Sequence, residues 1–257
     1  MYSHLIAIWL KNFLRIKEMN IKSGISGISF FLGCITVYLV VLFILLVVYG
    51  YHESFLLLNG SAFPWLDKPM FIITHMGDSM ILASVLTLMF IWKKPEAAFN
   101  VILIVIITGI LGQLLKGLFF EGWDRPLRVF NESPIVHTLP HYRLFHNSFP
   151  SGHSITVMAA ITALVGSIKP SVIWQIIAAA FAIIISYSRV YLGVHFPGDV
   201  LAGSLIGAFL SILLLPLSNR LANRIAFNKR LKVILALSAF IMITSGAWFL
   251  RVYFPLI

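Results

Sequence analysis

Seven apolar stretches set what this chain can become. They run at about Ile28–Tyr49, Met70–Trp92, Ala98–Phe119, His153–Ile168, Val172–Val190, Val200–Leu217 and Val233–Leu250. Each approaches the roughly 20 residues an α-helix needs to cross about 30 Å of hydrocarbon. Only 11% of the 257 residues are charged, against about 25% in an ordinary soluble domain. Backbone polar groups in lipid must be satisfied within their own segment, so the stretches predict an all-α, polytopic transmembrane helix bundle. Ahead of them, residues 1–27 form an interfacial segment: Leu5, Trp9, Leu10, Phe13 and Leu14 alternate with Lys11, Arg15 and Lys17, the pattern of an amphipathic helix lying among headgroups. Charges interrupt it, so it does not read as a cleaved signal peptide. The single cysteine, Cys34, sits in an apolar run and forms no internal disulfide.

A net charge of +10 raises the question of nucleic acid, but the placement of the charges answers it. With the N-terminus in the cytoplasm, twelve of the nineteen lysines and arginines fall on the inner side, as the positive-inside rule asks. The basic segment Arg220–Lys232 then faces anionic lipid. The partners expected are membrane lipids, and no nucleic acid.

The polar residues left on the outer side are the informative ones. Lys116, Arg125, His153, Arg189, His195 and Asp199 all fall at the outer ends of the third to sixth helices, and an ionisable residue inside an apolar background is a functional hypothesis by default. Ser151 is a good N-cap for the helix that follows, and Gly152 lets a ligand approach the backbone, so an anion is favoured at that helix start. Lys116, Arg125 and Arg189 would repel one another unless an anion joined them. His195 and Asp199 are four residues apart around a helix start marked by Pro197. The carboxylate would hold one ring nitrogen's proton and leave the other nitrogen free as a nucleophile, with His153 as general acid for the leaving oxygen. Arg128 and Arg143, in the long connection from Glu121 to Ser148, are candidate headgroup contacts. His137, His141 and His146 invite a metal, but Pro140 breaks any helical ligand spacing, and neither metal nor cofactor is expected. His75 and Asp78, three apart, read as a structural polar pair on one helix face.

Together these residues resemble the phosphatidic acid phosphatase type 2 superfamily. Pro150-Ser151-Gly152-His153 matches one part of its signature, and Ser188-Arg189-x5-His195-x3-Asp199 matches another. The remaining part is a lysine, six residues and Arg-Pro; here eight residues separate Lys116 from Arg125-Pro126, an excess that an unwound turn at a helix end can absorb. The resemblance covers about Met70 to Leu217. It implies a six-span phosphatase core over residues 28–218, with 219–257 an added basic linker and seventh span. It implies a phosphohistidine on His195, Asp199 orienting it, and His153 protonating the leaving group without a metal. Lys116, Arg125, Ser151, Gly152 and Arg189 would bind the phosphate. The expected substrate is a lipid phosphate or diphosphate: undecaprenyl diphosphate, phosphatidic acid or phosphatidylglycerol phosphate, or lipid A. The expected setting is a bacterial inner membrane with the site facing the periplasm. Two rivals stand beside this, a lipid phosphotransferase using the same site and a non-catalytic lipid-binding or transport protein.

Overall fold

The computed structural model describes residues 27–140 and 142–253, with side chains as far as 248. All but the last residue of the segment expected at 1–27 therefore lies outside the described residues. What is described is helical: α1 Ser29–Asn59, a 3-10 turn Pro64–Leu66, α2 Asp67–His75, α3 Ser79–Phe90, α4 Pro95–Phe119, the short α5 Pro126–Val129, α6 Gly152–Ile168, α7 Val172–Tyr191, α8 Pro197–Ala222 and α9 Lys229–Tyr253. Five of these are long and apolar enough to cross a membrane, six if the bent pair α2–α3 counts as one span. The 17-residue α6 is shorter. Val37, Val47 and Val48 of α1 and Leu237, Phe240 and Ile241 of α9 are among many large apolar side chains left exposed. A membrane is the solvent for such a surface, and the chain is an integral membrane protein.

α6 is the axis of the bundle. Every residue from Ser154 to Gly166 is buried, and its main neighbours are α4 and α8. Gly203 and Gly207 of α8 lie against the α6 backbone at the carbonyls of Ser151 and Ile155. Small residues four apart let two helices approach this closely, where lipid supplies no hydrophobic drive for association. At the far end of the bundle, Asn100 of α4 donates to Ser167 of α6 at 2.9 Å and to Asn219 of α8 at 2.6 Å. Gln175 of α7 accepts the Phe31 amide of α1 at 3.2 Å.

Two expected elements differ from the structure. The first apolar stretch does not end at Tyr49. After a break at Gly50 (φ 78°, ψ −180°), a conformation only glycine adopts easily, the helix resumes to Asn59 and turns Ser54, Phe55 and Asn59 inward. The second stretch is not one helix. α2 and α3 meet at 71° across Met76–Asp78, because Asp78 leaves the helix to cap α3, its carboxylate accepting the Met80 amide at 3.0 Å. His75 and Asp78 are consequently not a polar pair on one face. His75 packs edge-on against Phe71 and Tyr142.

Candidate active site

α8 supplies the carboxylate. Pro197 opens the helix and Asp199 stands at its third position, where Oδ2 accepts the Phe196 amide at 2.9 Å. This is half of a capping box. Ser148 donates its hydroxyl to the same oxygen at 2.5 Å, and Tyr51 donates to Oδ1. Asp199 is fully buried, and these donors hold it in one orientation. Its Oδ2 lies 3.2 Å from Nδ1 of His195.

His195 sits in the turn between α7 and α8. Gly193 (φ 69°) reverses the chain there, with the His137 carbonyl where a Cβ would be. The amides of Val194 and His195 then both donate to the Arg189 carbonyl, at 3.1 and 3.2 Å. Nε2 of the ring lies 3.3 Å from Arg125 Nη1. A guanidinium only donates, so Nε2 is the acceptor, and Nδ1 carries the proton it gives to Asp199. Burial pushes the pKa of His195 well below its usual value, and the charges of Arg125, Arg189, Lys116 and His153 push it further. The ring is therefore neutral at pH 7, with a lone pair on the nitrogen that faces the cations.

Three cations surround it. Arg125 caps α5 and donates from Nε to His146 O at 2.7 Å, from Nη1 to Val194 O at 3.0 Å and from Nη2 to Asn147 O at 3.3 Å. Burial, then the charge of Arg189, lowers its pKa to about 10, so it stays charged at pH 7. Lys116, in the last turn of α4, reaches the same Asn147 carbonyl at 2.8 Å. A non-helical turn from Phe120 to Asp124 separates Lys116 from Arg125, and the two side chains converge on the Asn147 carbonyl. Arg189, 2% exposed, closes the set from the last turn of α7. Its Nη1 donates to Thr74 at 2.7 Å and to the Tyr142 hydroxyl at 2.6 Å, while its buried Nε has no acceptor among the described residues.

The start of α6 completes the arrangement. Ser151 is buried: its hydroxyl oxygen accepts from Ser154 and its amide donates to the Asp199 carbonyl at 3.1 Å. The first-turn amides of Gly152 and His153 have no intrahelical acceptor and point out of the helix end. The His153 ring lies against Gly77 in the α2–α3 break. Lys116, Gly152 and His153 all line the same cavity. Arg128 of α5 and Arg143 of the following loop are both exposed, and Arg143 pairs with Glu132 at 2.7 Å. His137 and His146 bind Asp67 and Asp124, at 2.9 and 2.8 Å; His141 lies outside the described residues.

Sequence reasoning missed Tyr51, Ser148, Thr74 and Tyr142, the residues that hold Asp199 and Arg189. Ser148 alone left a signal, two positions ahead of Pro150. Comparison with known proteins points the same way as the geometry. The family model described as the PAP2 superfamily matches residues 97–223, from the start of α4 to the end of α8. The undecaprenyl-diphosphatase of Sulfolobus acidocaldarius is 31% identical over 163 residues, 63% of this chain and 75% of that protein. Phosphatidylglycerophosphatase B of Bacillus subtilis is 31% identical over 58% of this chain and 74% of its own length. The crystal structure of Aquifex aeolicus LpxE superposes with a TM-score of 0.56 at 30% identity, over 64% of this chain and 94% of that one.

Proposed function

Because this chain belongs to the PAP2 superfamily and is a membrane-embedded lipid phosphatase, we propose that it hydrolyses the phosphate ester or diphosphate of an amphiphile through a phosphohistidine on His195, without a metal. One observation carries the mechanism. Lys116, Arg125 and Arg189 gather beside a neutral imidazole whose other nitrogen is tied to a carboxylate, and the buried Arg189 Nε lacks an acceptor. A buried donor without a partner costs about 1–3 kcal/mol, and a phosphate oxygen relieves that cost. It also draws Arg125 off the His195 lone pair and onto the ligand.

The steps balance. Nε2 of His195 attacks phosphorus, the bond to the leaving oxygen breaks, and His153 gives that oxygen its proton. The phosphorylated ring keeps its Nδ1 proton and carries positive charge, which Asp199 offsets. A water molecule then attacks phosphorus and passes its proton to His153, and the N–P bond breaks to release inorganic phosphate. The cations and the amides of Gly152 and His153 neutralise the oxygens throughout, where most catalysis of phosphoryl transfer resides.

The substrate candidates are undecaprenyl diphosphate, phosphatidic acid or phosphatidylglycerol phosphate, and lipid A phosphates. The test is phosphate release by the purified chain from that panel in excess chelator. Turnover is expected to persist under chelation and to vanish in His195→Ala. Loss on chelation rejects the metal-free route, and full turnover in His195→Ala rejects the nucleophile.

A further inference from the structure

A cavity of about 870 Å³ begins at Lys116 and His153 and runs along the bundle between α3, α4, α6 and α9. On α4 its lining extends from Lys116 back to Ile102. That is fourteen residues, or about 21 Å of a hydrocarbon layer about 30 Å thick. Beyond the charged mouth its walls are mainly aliphatic. α9 contributes Leu235, Ser238, Ala239 and Met242, spaced i, i+3, i+4, i+7, which is one face of a helix. These residues begin six positions into α9, and Ile102 lies seven into α4. Both helices rise from the end opposite the phosphate site, so α9 walls the deep half of the cavity. Two of the four residues are small, so this face leaves space that the protein does not fill. α9 lies outside the 97–223 stretch that defines the family, and the phosphate chemistry makes no use of it.

We propose that α9 forms the deep wall of a binding groove for the apolar tail of the lipid phosphate, and that its inward face sets which tail lengths are accepted. The proposal rests on the lipid-phosphatase reading above. The groove opens at Lys116, Gly152 and His153, which the mechanism above places at the phosphate, so a head bound there directs its own tail into it. The tail enters from hydrocarbon, so the groove adds van der Waals packing along its walls rather than burial from water, and only a long tail reaches the level of Leu235–Met242. A short-tailed substrate ends above that level.

Ser238→Phe fills the deep half from an exposed position, without displacing a packed side chain. Leu237→Phe, 58% exposed on the opposite side of α9, controls for bulk added to this helix. With dipalmitoyl and dioctanoyl phosphatidate as probes, Ser238→Phe is expected to raise the ratio of their KM values about tenfold, because only the longer tail reaches the filled half, and Leu237→Phe is expected to leave it unchanged. An equal effect of Ser238→Phe on both probes, or none, overturns the proposal. A phosphatidate bearing a photoreactive diazirine at the acyl terminus gives a second measurement on the unaltered chain. Cross-links within residues 229–253 support the groove, and cross-links confined to α1 and α7 overturn it. If the chain cleaves neither phosphatidate but cross-links through α9, the groove stands and the phosphatase reading for this lipid class falls.

Discussion

Tyr51 and Ser148 reach Asp199 from two directions, one on each carboxylate oxygen. Neither touches substrate in the mechanism above. Their role is to keep Oδ2 turned to His195 Nδ1, and so to keep the lone pair on Nε2. Hydrogen bonds to a charged group contribute about 1.5–3 kcal/mol, so Tyr51→Phe should lower kcat about tenfold while KM moves little. The ring keeps its contact with Phe196 at 4.8 Å, and circular dichroism should be unaltered; a KM effect without a kcat effect would show that Tyr51 does not position the carboxylate. A second prediction concerns pH. Attack needs neutral His195, and the pKa of that ring is lowered, so activity should persist below pH 6.5 on the acid side and fall only once the depressed pKa is crossed. Arg125→Gln removes one of the charges that hold it down, and the acid limb of kcat/KM should move up. An unmoved limb would mean the nucleophile does not feel Arg125. Of these residues, His195, Asp199 and Arg125 were legible because their types and spacing carry chemistry. Tyr51, Thr74 and Tyr142 were not, since a lone hydroxyl far away in sequence gives no pattern until the fold brings it to a charge.

The helices themselves were legible through hydropathy, because a bilayer demands length and apolarity of every span. All seven stretches appear as helical segments. What hydropathy lost were the breaks. Gly77 and Asp78 are too few to lower the average over Met70–Trp92, yet Asp78 satisfies the α3 amides better as a cap than as a helix residue. Gly50 looks like the end of a span, although the chain resumes its helix to deliver Tyr51. Packing was equally hidden: Gly203 and Gly207 became meaningful only once α8 was seen against α6. Gly207→Leu must push α8 off the Ile155 carbonyl. Overpacking of this kind costs about 1–3 kcal/mol, and a lowered Tm in detergent with activity reduced at all temperatures is expected. Because the same contact positions Asp199 relative to the α6 start, activity should decline before helicity does. A variant as stable and active as the parent would show that the close approach is dispensable.

At the scale of the molecule, the charges divide between its two ends. The connections opposite the phosphate site carry Lys93, Lys94, Lys169, Arg224, Lys229 and Arg230. At the site end, Lys116, Arg125 and Arg189 are drawn into the pocket and Arg143 is neutralised by Glu132. Topology responds to lysine and arginine near the ends of spans. We predict from this that the basic end lies in the cytoplasm and the phosphate site on the opposite side, where a lipid would arrive sideways from the outer leaflet. The prediction can be read with thiol chemistry, because Cys34 is the only cysteine. In a Cys34→Ala background, Glu121→Cys places a thiol on the exposed turn beside the site, and Ala226→Cys places one on the exposed α8–α9 connection at the other end. A membrane-impermeant maleimide applied to intact cells should label Glu121→Cys and spare Ala226→Cys until the membrane is opened. The reverse pattern would turn the molecule over and put the phosphatase to work on lipids of the cytoplasmic leaflet. It would leave the chemistry of His195 untouched, because nothing in that constellation depends on which side of the bilayer it faces.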